Sequence, residues 1–383
     1  MHILIIPSWY KTSEQPMVGT FFEEQARALL KKGHQVGIIF PSFYNFSSST
    51  KPANDFIDDN GIPTFYCAYK CVAPKSFRLN YYLYSKRIYA TFLEYVKEYG
   101  KPDIIHAHTV FYAGIAARYM SKKSRIPFVL TEHFTPFITG GIHKKADVNI
   151  AKQIYKDANE NIIVSHGFKE LLANKLKIDK SIFTVVPNMV DDLFFQLPKH
   201  REIHKEAPVF FTVSFLSERK NHFLMLESFS KFLKEYPKAM FKIGGDGQFK
   251  QQIINKIKAL KIDDNVVLVG ELNRKEVLSE LNNADVFLLA SKFETFGVVL
   301  IEALATGMPI VTTDSVGPRD IVTVKNGIMS ASFSVEDYCD AMLKVIENYS
   351  NYISEDISKD CNNRFSENVI MEQVEKVYKD SVQ

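Results

Sequence analysis

Short apolar runs alternate with longer amphipathic stretches along almost the whole chain. Eleven runs, rich in Val and Ile, stand at residues 2–7, 35–40, 104–106, 128–131, 162–165, 183–186, 209–214, 240–244, 266–269, 286–289 and 309–312. Runs of this length are typical of buried parallel strands, and the stretches between them are typical of helices. The alternation therefore predicts an α/β chain with parallel sheets, in two doubly wound halves.

A polar, basic segment interrupts this alternation at residues 198–208, PKHREIHKEAP. It has proline at both ends and no apolar period, which is typical of an interdomain linker. The total length of 383 residues suits two domains. We predict an N-terminal domain at 1–197, a C-terminal domain at 208–362 and a final helical segment at 363–383.

Composition excludes several classes of protein. The net charge of +3 indicates no dedicated nucleic-acid binder. The four cysteines, Cys67, Cys71, Cys339 and Cys361, are too few and too scattered for a disulfide framework. The N-terminus, MHILIIPSWY, lacks the pattern of a signal peptide, and no apolar run is long enough to span a membrane. These features predict a cytoplasmic protein in a reducing setting.

The segment from Ser291 to Pro309, SKFETFGVVLIEALATGMP, carries the strongest chemical signal. It follows a predicted strand directly and opens a helix, and ligands of open α/β sheets bind at the carboxyl ends of strands. Gly297 lets the backbone approach a ligand, and the unpaired N–H groups of residues 296–300 favour a diphosphate. Glu294 and Glu302 can accept hydroxyls at different parts of one elongated ligand.

This segment resembles family four of the retaining glycosyltransferases, which have the two-domain GT-B fold. The family pattern is matched at Glu294, Phe296, Gly297, Glu302, Ala303, Ala305, Gly307 and Pro309. The resemblance implies two Rossmann-like domains facing across a cleft, with the C-terminal helix crossing back. It also implies that Glu294 contacts the donor sugar, that Glu302 contacts the nucleotide ribose, and that Thr295, Phe296, Gly297, Val298 and Val299 surround the diphosphate.

Other landmarks of the second half keep the family order. Residues 213–221, VSFLSERKN, resemble a family motif in which Lys220 takes the lysine position that neutralises the leaving diphosphate. Phe215 stands where the family has arginine, and the adjacent Arg219 is a candidate substitute. Gly245 lies in a glycine turn, and Glu271 falls in the loop that contacts the base in the family.

In the first half, Gly19 precedes a predicted helix at 20–30, with a capping box from Thr20 and Glu23. Gly19 falls where the family has its diphosphate-facing glycine loop. Family members often carry a histidine after a later strand, and His133 is our candidate for that catalytic position. His108 and Glu132 follow strands as well, and we expect them on the acceptor side.

The resemblance implies a retaining hexosyltransferase in surface polysaccharide biosynthesis that uses a UDP- or GDP-sugar and a glycan or lipid-linked acceptor. No Asp-x-Asp triplet is present, so we expect no metal and no other cofactor. Residues 75–99 combine basic and aromatic residues, which suits either an ordinary surface helix or peripheral contact with an anionic membrane. A nucleotide-sugar epimerase and a non-catalytic sugar-nucleotide-binding protein are the alternatives.

Overall fold

The computed structural model describes residues 1–11, 18–44, 55–59, 61–70, 77–133, 136, 140–141, 144–195 and 203–382, without the side chains of 42–44, 55–59, 70 and 77–78. The chain divides into two compact units. Unit 1 comprises Met1–Val164, Lys169–Val186 and Ile370–Gln383, and unit 2 comprises Ser165–Phe168 and Pro187–Val369. The predicted boundary at residue 197 lies outside the described residues, so it stays a prediction.

Unit 1 is built on one sheet of eight strands. In chain order they are β1 His2–Pro7, β2 Gln35–Tyr44, β3 Asp55–Asp59, β4 Ile62–Lys70, β5 Ile104–His108, β6 Phe128–Glu132, β7 Glu160–Ile163 and β8 Phe183–Val185. The helices of this half of the chain are α1 Thr20–Lys31, α2 Phe77–Tyr99, α3 Ile115–Ser124, α4 Lys145–Asp157 and α5 His166–Leu176.

The strand order in this sheet is β3-β4-β2-β1-β5-β6-β7-β8. All pairings are parallel except that of β3 with β4. Chain order reverses between β1 and β5, where Pro7 pairs with His108 at the carboxyl ends of both strands. Such a reversal opens a crevice at that edge, which is the general ligand position in doubly wound sheets.

Unit 2 is built on a second sheet of six strands. They are β9 Val209–Val213, β10 Met240–Gly244, β11 Val266–Gly270, β12 Val286–Leu289, β13 Ile310–Thr313 and β14 Gly327–Ser330. The helices of this half of the chain are α6 His222–Phe232, α7 Lys250–Leu260, α8 Arg274–Asn282, α9 Val298–Ala305, α10 Val335–Glu347, α11 Ser354–Phe365 and α12 Glu367–Val382. Most of α12 belongs to unit 1.

The second sheet is wholly parallel, with strand order β11-β10-β9-β12-β13-β14. Its order reverses between β9 and β12. Aromatic and aliphatic side chains from β9, β10, α6 and α10 form a continuous core, including Phe210, Phe229, Phe241 and Met342. The prediction of two doubly wound α/β sheets is therefore confirmed.

One local prediction needs correction. Helix α1 begins after Gly19, which has φ +73° and is itself the N-cap, and none of the described side chains caps the helix. The capping box of Thr20 and Glu23 is therefore wrong. Glu23 instead forms ion pairs with Lys11 and Arg27. The apolar face predicted for this helix is confirmed, since Phe22 is fully buried.

Candidate functional site

The loops after β9 and β12 leave the second sheet at its point of reversal. Strands β9 and β12 are hydrogen-bonded neighbours, so their carboxyl ends lie side by side. A short 3-10 turn, Glu218–Lys220, follows β9, and residues 290–297 connect β12 to α9. The fold thus brings together two segments in which separate sequence motifs predict donor-binding residues.

Lys220 and Glu294 form an ion pair at this point. Lys220 Nζ donates to Glu294 Oε2 at 2.7 Å, and the side chains are only 13% and 10% exposed. Ser291 Oγ also donates to Glu294 Oε2, at 3.3 Å. Burial alone would raise the pKa of the Glu294 carboxyl, but the charges of Lys220 and Arg219 outweigh burial and lower that pKa. Glu294 is therefore a carboxylate at neutral pH.

The loop that carries Glu294 is held by its backbone. The N–H of Gly317 donates to Glu294 O at 2.9 Å, and Ser165 Oγ donates to Thr295 O at 2.7 Å. Phe296 is 1% exposed and packs against Phe365, and Thr295 is 8% exposed. Their predicted place near a diphosphate stays a prediction.

Gly297 is the N-cap of α9 and has φ +107°. This left-handed conformation turns the chain sharply from the loop into the helix, and it disfavours any residue with a side chain. The partly exposed Val298 and Val299 open the first helical turn, where N–H groups lack the i−4 carbonyl partner of later residues, although the N–H of Leu300 donates to Gly297 O at 2.9 Å. The turn can therefore present N–H groups to an anion beside Glu294.

Three further predicted donor-binding residues lie at or near the carboxyl edge of the same sheet. Gly245 follows β10 with φ +117°, and a Cβ there would come 1.9 Å from Ser214 O, so the position admits only glycine. Glu271 follows β11 and is exposed. Arg219 is partly exposed beside Lys220, and its carbonyl accepts the N–H of Lys292 at 2.8 Å.

Glu302 has a partner that sequence reasoning missed. Its side chain is 3% exposed and forms a charge-assisted hydrogen bond with Arg274 at the start of α8. The Arg274 guanidinium lies 4.6 Å from the centre of the Phe194 ring. The capping box of Asn273 and Glu276 could have placed Arg274 in a first helical turn, but no sequence pattern joins it to Glu302.

The reversal point of unit 1 has a different chemistry. Ser8, just after β1, places its hydroxyl 2.8 Å from His108 O and 2.7 Å from Phe111 O. These bonds hold an irregular turn, Val110–Gly114, after Thr109 at φ +74°. A β-branched residue in that region is strained by about 1–3 kcal/mol, and such strain concentrates at functional sites.

Two predicted histidines meet beside this turn. His108 Nδ1 lies 3.2 Å from His133 Nε2, and the rings stack at 5.5 Å between centres. His106 takes two partners on its other sides, Tyr378 Oη and Thr131 Oγ1, each at 2.7 Å. Burial lowers the pKa of His106 and His133 to about 3 and that of His108 well below 6.5. All three rings are therefore neutral at pH 7.

His108 and Glu132 are both fully buried. Glu132 Oε2 accepts the N–H of Val110 at 3.0 Å and the hydroxyl of Tyr155 at 2.6 Å. The Glu132 side chain thus stabilises the start of the irregular turn through its hydrogen bond with Val110. Direct contact of either side chain with an acceptor is not available in this conformation, whereas His133 is partly exposed.

The basic, aromatic segment predicted at 75–99 forms α2, with Lys75 outside the described residues. Leu79, Tyr82 and Leu93 are 47–51% exposed, and Lys86 lies 5.2 Å from the centre of the Tyr82 ring. Within the described part of the chain, no helix combines the length and apolar character needed to cross a membrane.

Comparison with known proteins places this geometry in a family. Residues 18–192 match the model described as Glycosyltransferase Family 4, and residues 195–367 match that described as Glycosyl transferases group 1. Together the two matches span nearly the whole chain.

Individual relatives and structures agree with these matches. The putative teichuronic acid biosynthesis glycosyltransferase TuaC of Bacillus subtilis is 27% identical over 329 residues, which is 82% of this chain and 81% of that protein. The alpha-monoglucosyldiacylglycerol synthase of Streptococcus pneumoniae is 26% identical over 318 residues, 77% and 67% of the two chains. The crystal structure of Anabaena Alr3699/HepE in complex with UDP and glucose has a TM-score of 0.75 at 16% identity, covering 98% and 99%. The chain belongs to the group 1 glycosyltransferases and has the GT-B fold.

Proposed function

We propose that this glycosyltransferase moves a hexose from a UDP- or GDP-sugar to an acceptor hydroxyl and retains the anomeric configuration. One observation carries the proposal: the buried Lys220–Glu294 pair lies beside the Gly297 turn where the strand order of unit 2 reverses. This arrangement offers a cation and N–H groups to a diphosphate, and a carboxylate to sugar hydroxyls. A neighbour with the same fold was solved with UDP and glucose, which supports this type of donor.

The chemical demand on the protein is to stabilise negative charge on the departing diphosphate. As the bond from the anomeric carbon to the diphosphate oxygen breaks, the electron pair leaves with the diphosphate. Lys220 carries three N–H donors and uses one of them on Glu294, so it has others for a phosphate oxygen. Glu294, a carboxylate held by Lys220 and Ser291, orients sugar hydroxyls instead of attacking the anomeric carbon.

No residue is assigned as a nucleophile in this proposal. The acceptor oxygen attacks the face from which the diphosphate departs, and the acceptor proton passes to a phosphate oxygen. His133 supplies a neutral hydrogen-bonding group to the acceptor side. The chemistry needs no metal ion, because Lys220 and the backbone N–H groups carry the compensating charge.

The acceptor is proposed to be a glycan or a lipid-linked sugar, in surface polysaccharide biosynthesis at the cytoplasmic face of a membrane. The names of the Bacillus subtilis and Streptococcus pneumoniae relatives refer to teichuronic acid biosynthesis and to a monoglucosyldiacylglycerol. The exposed Leu79, Tyr82 and Leu93 with Lys86 suit peripheral contact with anionic lipid. Sedimentation with phosphatidylglycerol vesicles tests this contact, and a chain that stays in the supernatant contradicts it.

The donor is tested with a panel of UDP-, GDP- and ADP-sugars. A true donor raises the melting temperature, since it binds the folded state. Turnover with that donor should persist in EDTA and should form a product of unchanged anomeric configuration by proton NMR. Conversion of the donor without any acceptor would indicate an epimerase, binding without turnover would indicate a non-catalytic protein, and inversion or loss in EDTA would refute the mechanism.

A further inference from the structure

His108 is a buried imidazole with one polar contact at hydrogen-bond distance. It is fully buried, and its Nδ1 lies 3.2 Å from His133 Nε2. The Phe22 and His106 rings flank it, with centres at 4.7 Å and 4.2 Å. Its Nε2 is buried and has no hydrogen-bond partner among the residues that the structure describes. His108 therefore makes its hydrogen bond through Nδ1.

His106 is not available as a second partner for His108. Its Nδ1 and Nε2 are both engaged, by Tyr378 Oη and Thr131 Oγ1 at 2.7 Å. Tyr378 comes from α12, and Thr131 from β6, so two elements fix the His106 ring. Which ring donates the proton in the contact between His108 and His133 therefore depends on these two rings alone.

Each neutral imidazole has one N–H and one lone pair, so two arrangements are possible. In the first, His108 Nδ1–H donates to His133 Nε2, and the unpartnered atom of His108 is a lone pair. In the second, His133 Nε2–H donates to His108 Nδ1, and the unpartnered atom is a buried N–H. Buried donors without an acceptor are rarer than buried acceptors without a donor, which favours the first arrangement.

We propose that His108 is a positioning residue that holds His133 with its proton on Nδ1, so that His133 acts as a neutral hydrogen-bond donor and not as a base. The proposal rests on the proposed function, because it specifies what His133 does there. Nε2 of His133 is occupied by His108, and the free edge of the ring presents Nδ1–H. This group donates to an oxygen of the acceptor or sugar, and the acceptor proton goes to the diphosphate.

The first test reads the tautomer directly. The full chain is labelled with ¹⁵N-histidine, and two-bond ¹H–¹⁵N correlations at pH 7 report which ring nitrogen carries the proton. The His133→Asn variant assigns the His133 signals by their disappearance. We expect His133 to be protonated at Nδ1 in the wild type. A wild-type His133 protonated at Nε2 overturns the proposal, whether or not any sugar is transferred.

The second test uses matched variants of His108. Asn places an amide N–H close to the position of imidazole Nδ1, whereas Leu has no donor. We expect His108→Leu to mix the two tautomers of His133 and to lower kcat about tenfold with little change in the donor KM, which corresponds to the loss of one neutral hydrogen bond. His108→Asn should recover part of kcat and the Nδ1 tautomer.

A purely structural role for His108 predicts a different pattern. In that case Leu and Asn would change stability but leave the His133 tautomer as in the wild type, and this result would overturn the proposal. If the Leu variant does not fold, the wild-type and Asn spectra still decide. Failure of the donor panel would refute the proposed function without altering the tautomer, so the two failures are distinguishable.

Discussion

The points at which the two sheets reverse their strand order differ in electrostatics. Ion pairs lie at this edge of unit 2, and neutral histidines lie at this edge of unit 1. In unit 2, Lys220 pairs with Glu294, and Arg274 pairs with Glu302, at side-chain exposures of 3–23%. In unit 1, the corresponding edge holds His106, His108 and His133, all neutral at pH 7. Each sheet reverses its strand order at this edge, yet one edge carries charge and the other carries neutral hydrogen-bonding groups.

The cost of desolvating a charge explains why the buried groups are paired charges in unit 2 and neutral histidines in unit 1. A buried charge needs an opposite charge and hydrogen bonds, and both Glu294 and Glu302 have them. A histidine escapes the same penalty by losing its proton, which is why burial lowers the pKa values in unit 1. The difference indicates a division of labour, with charge stabilisation in unit 2 and hydrogen-bond orientation in unit 1.

The largest expected effect comes from removing the cation of unit 2. Lys220→Ala should lower kcat by about 10²–10³, because one donor to developing oxyanion charge contributes about 2.7–4 kcal/mol. Glu294→Ala should also lose most turnover while the protein stays folded. His133→Asn, on the neutral side, should lose less than either. Steady-state kinetics with the donor that the sugar-nucleotide panel selects gives the comparison, and circular dichroism checks the fold.

Lys292→Ala is the matched control for the charge change. Lys292 lies two residues before Glu294 in the sequence, but it is 51% exposed and pairs with Glu218, itself 71% exposed. Exposed pairs of this kind contribute about 0–1 kcal/mol, so turnover should be near that of the wild type. Near-native turnover of Lys220→Ala or Glu294→Ala, or a larger loss from His133→Asn, would reverse the division of labour.

Mild acid should destabilise unit 1 at a higher pH than unit 2. Between pH 6.5 and about 3, the unfolded chain binds protons that His106 and His133 do not bind when folded. Stability is therefore fully present above pH 6.5 and falls with decreasing pH, by about 1.4 kcal/mol per pH unit for each group. The pKa of Glu294 is depressed below 4.5, so the stability that its carboxylate contributes is lost only at lower pH.

Native-state hydrogen exchange from pH 7.5 to 4.5 can follow both units in the intact chain. Protection factors, which are corrected for the intrinsic pH dependence of exchange, should fall earlier in β5 and β6 than in β9 and β12. Among the described residues of unit 2, one group is comparable: burial lowers the pKa of His222 to about 4, so protection in unit 2 should decline less steeply. Equal decline in both sheets, or earlier opening of unit 2, would contradict the neutral-histidine account.

Local sequence patterns predicted the part of the fold that is buried and continuous. The strands His2–Pro7, Met240–Gly244 and Val286–Leu289 coincide with predicted apolar runs. Strand Ile62–Lys70 was missed, because Pro63 and Thr64 interrupt its apolar run and because it lies beside the edge strand Asp55–Asp59. Such a strand is only partly buried, so it lacks the continuous apolar run on which the prediction depended.

The site residues were predictable only where a recognisable motif directly follows a strand. Glu294, Gly297 and Lys220 each follow a strand within a recognisable motif, and the structure brings Lys220 and Glu294 into contact. Arg274 and Glu302 are 28 positions apart, and His106 and Tyr378 are 272 positions apart. Side-chain pairs of this kind depend on tertiary packing, which leaves no periodic trace in the sequence.

The smallest expected effect concerns Phe215, which follows β9 and is 65% exposed. Phe215→Arg adds a guanidinium at the charged edge and should strengthen UDP or GDP binding by up to about fivefold, the range of an exposed ion pair. Calorimetric titration at low and high salt measures the gain, which screening should abolish at about 1 M salt. Val324→Arg is the control, since Val324 is 93% exposed and precedes the amino end of β14, so the same charge there should leave affinity unchanged. An equal gain from both variants would indicate a general field effect, and no gain from Phe215→Arg would mean that the diphosphate does not approach the end of β9.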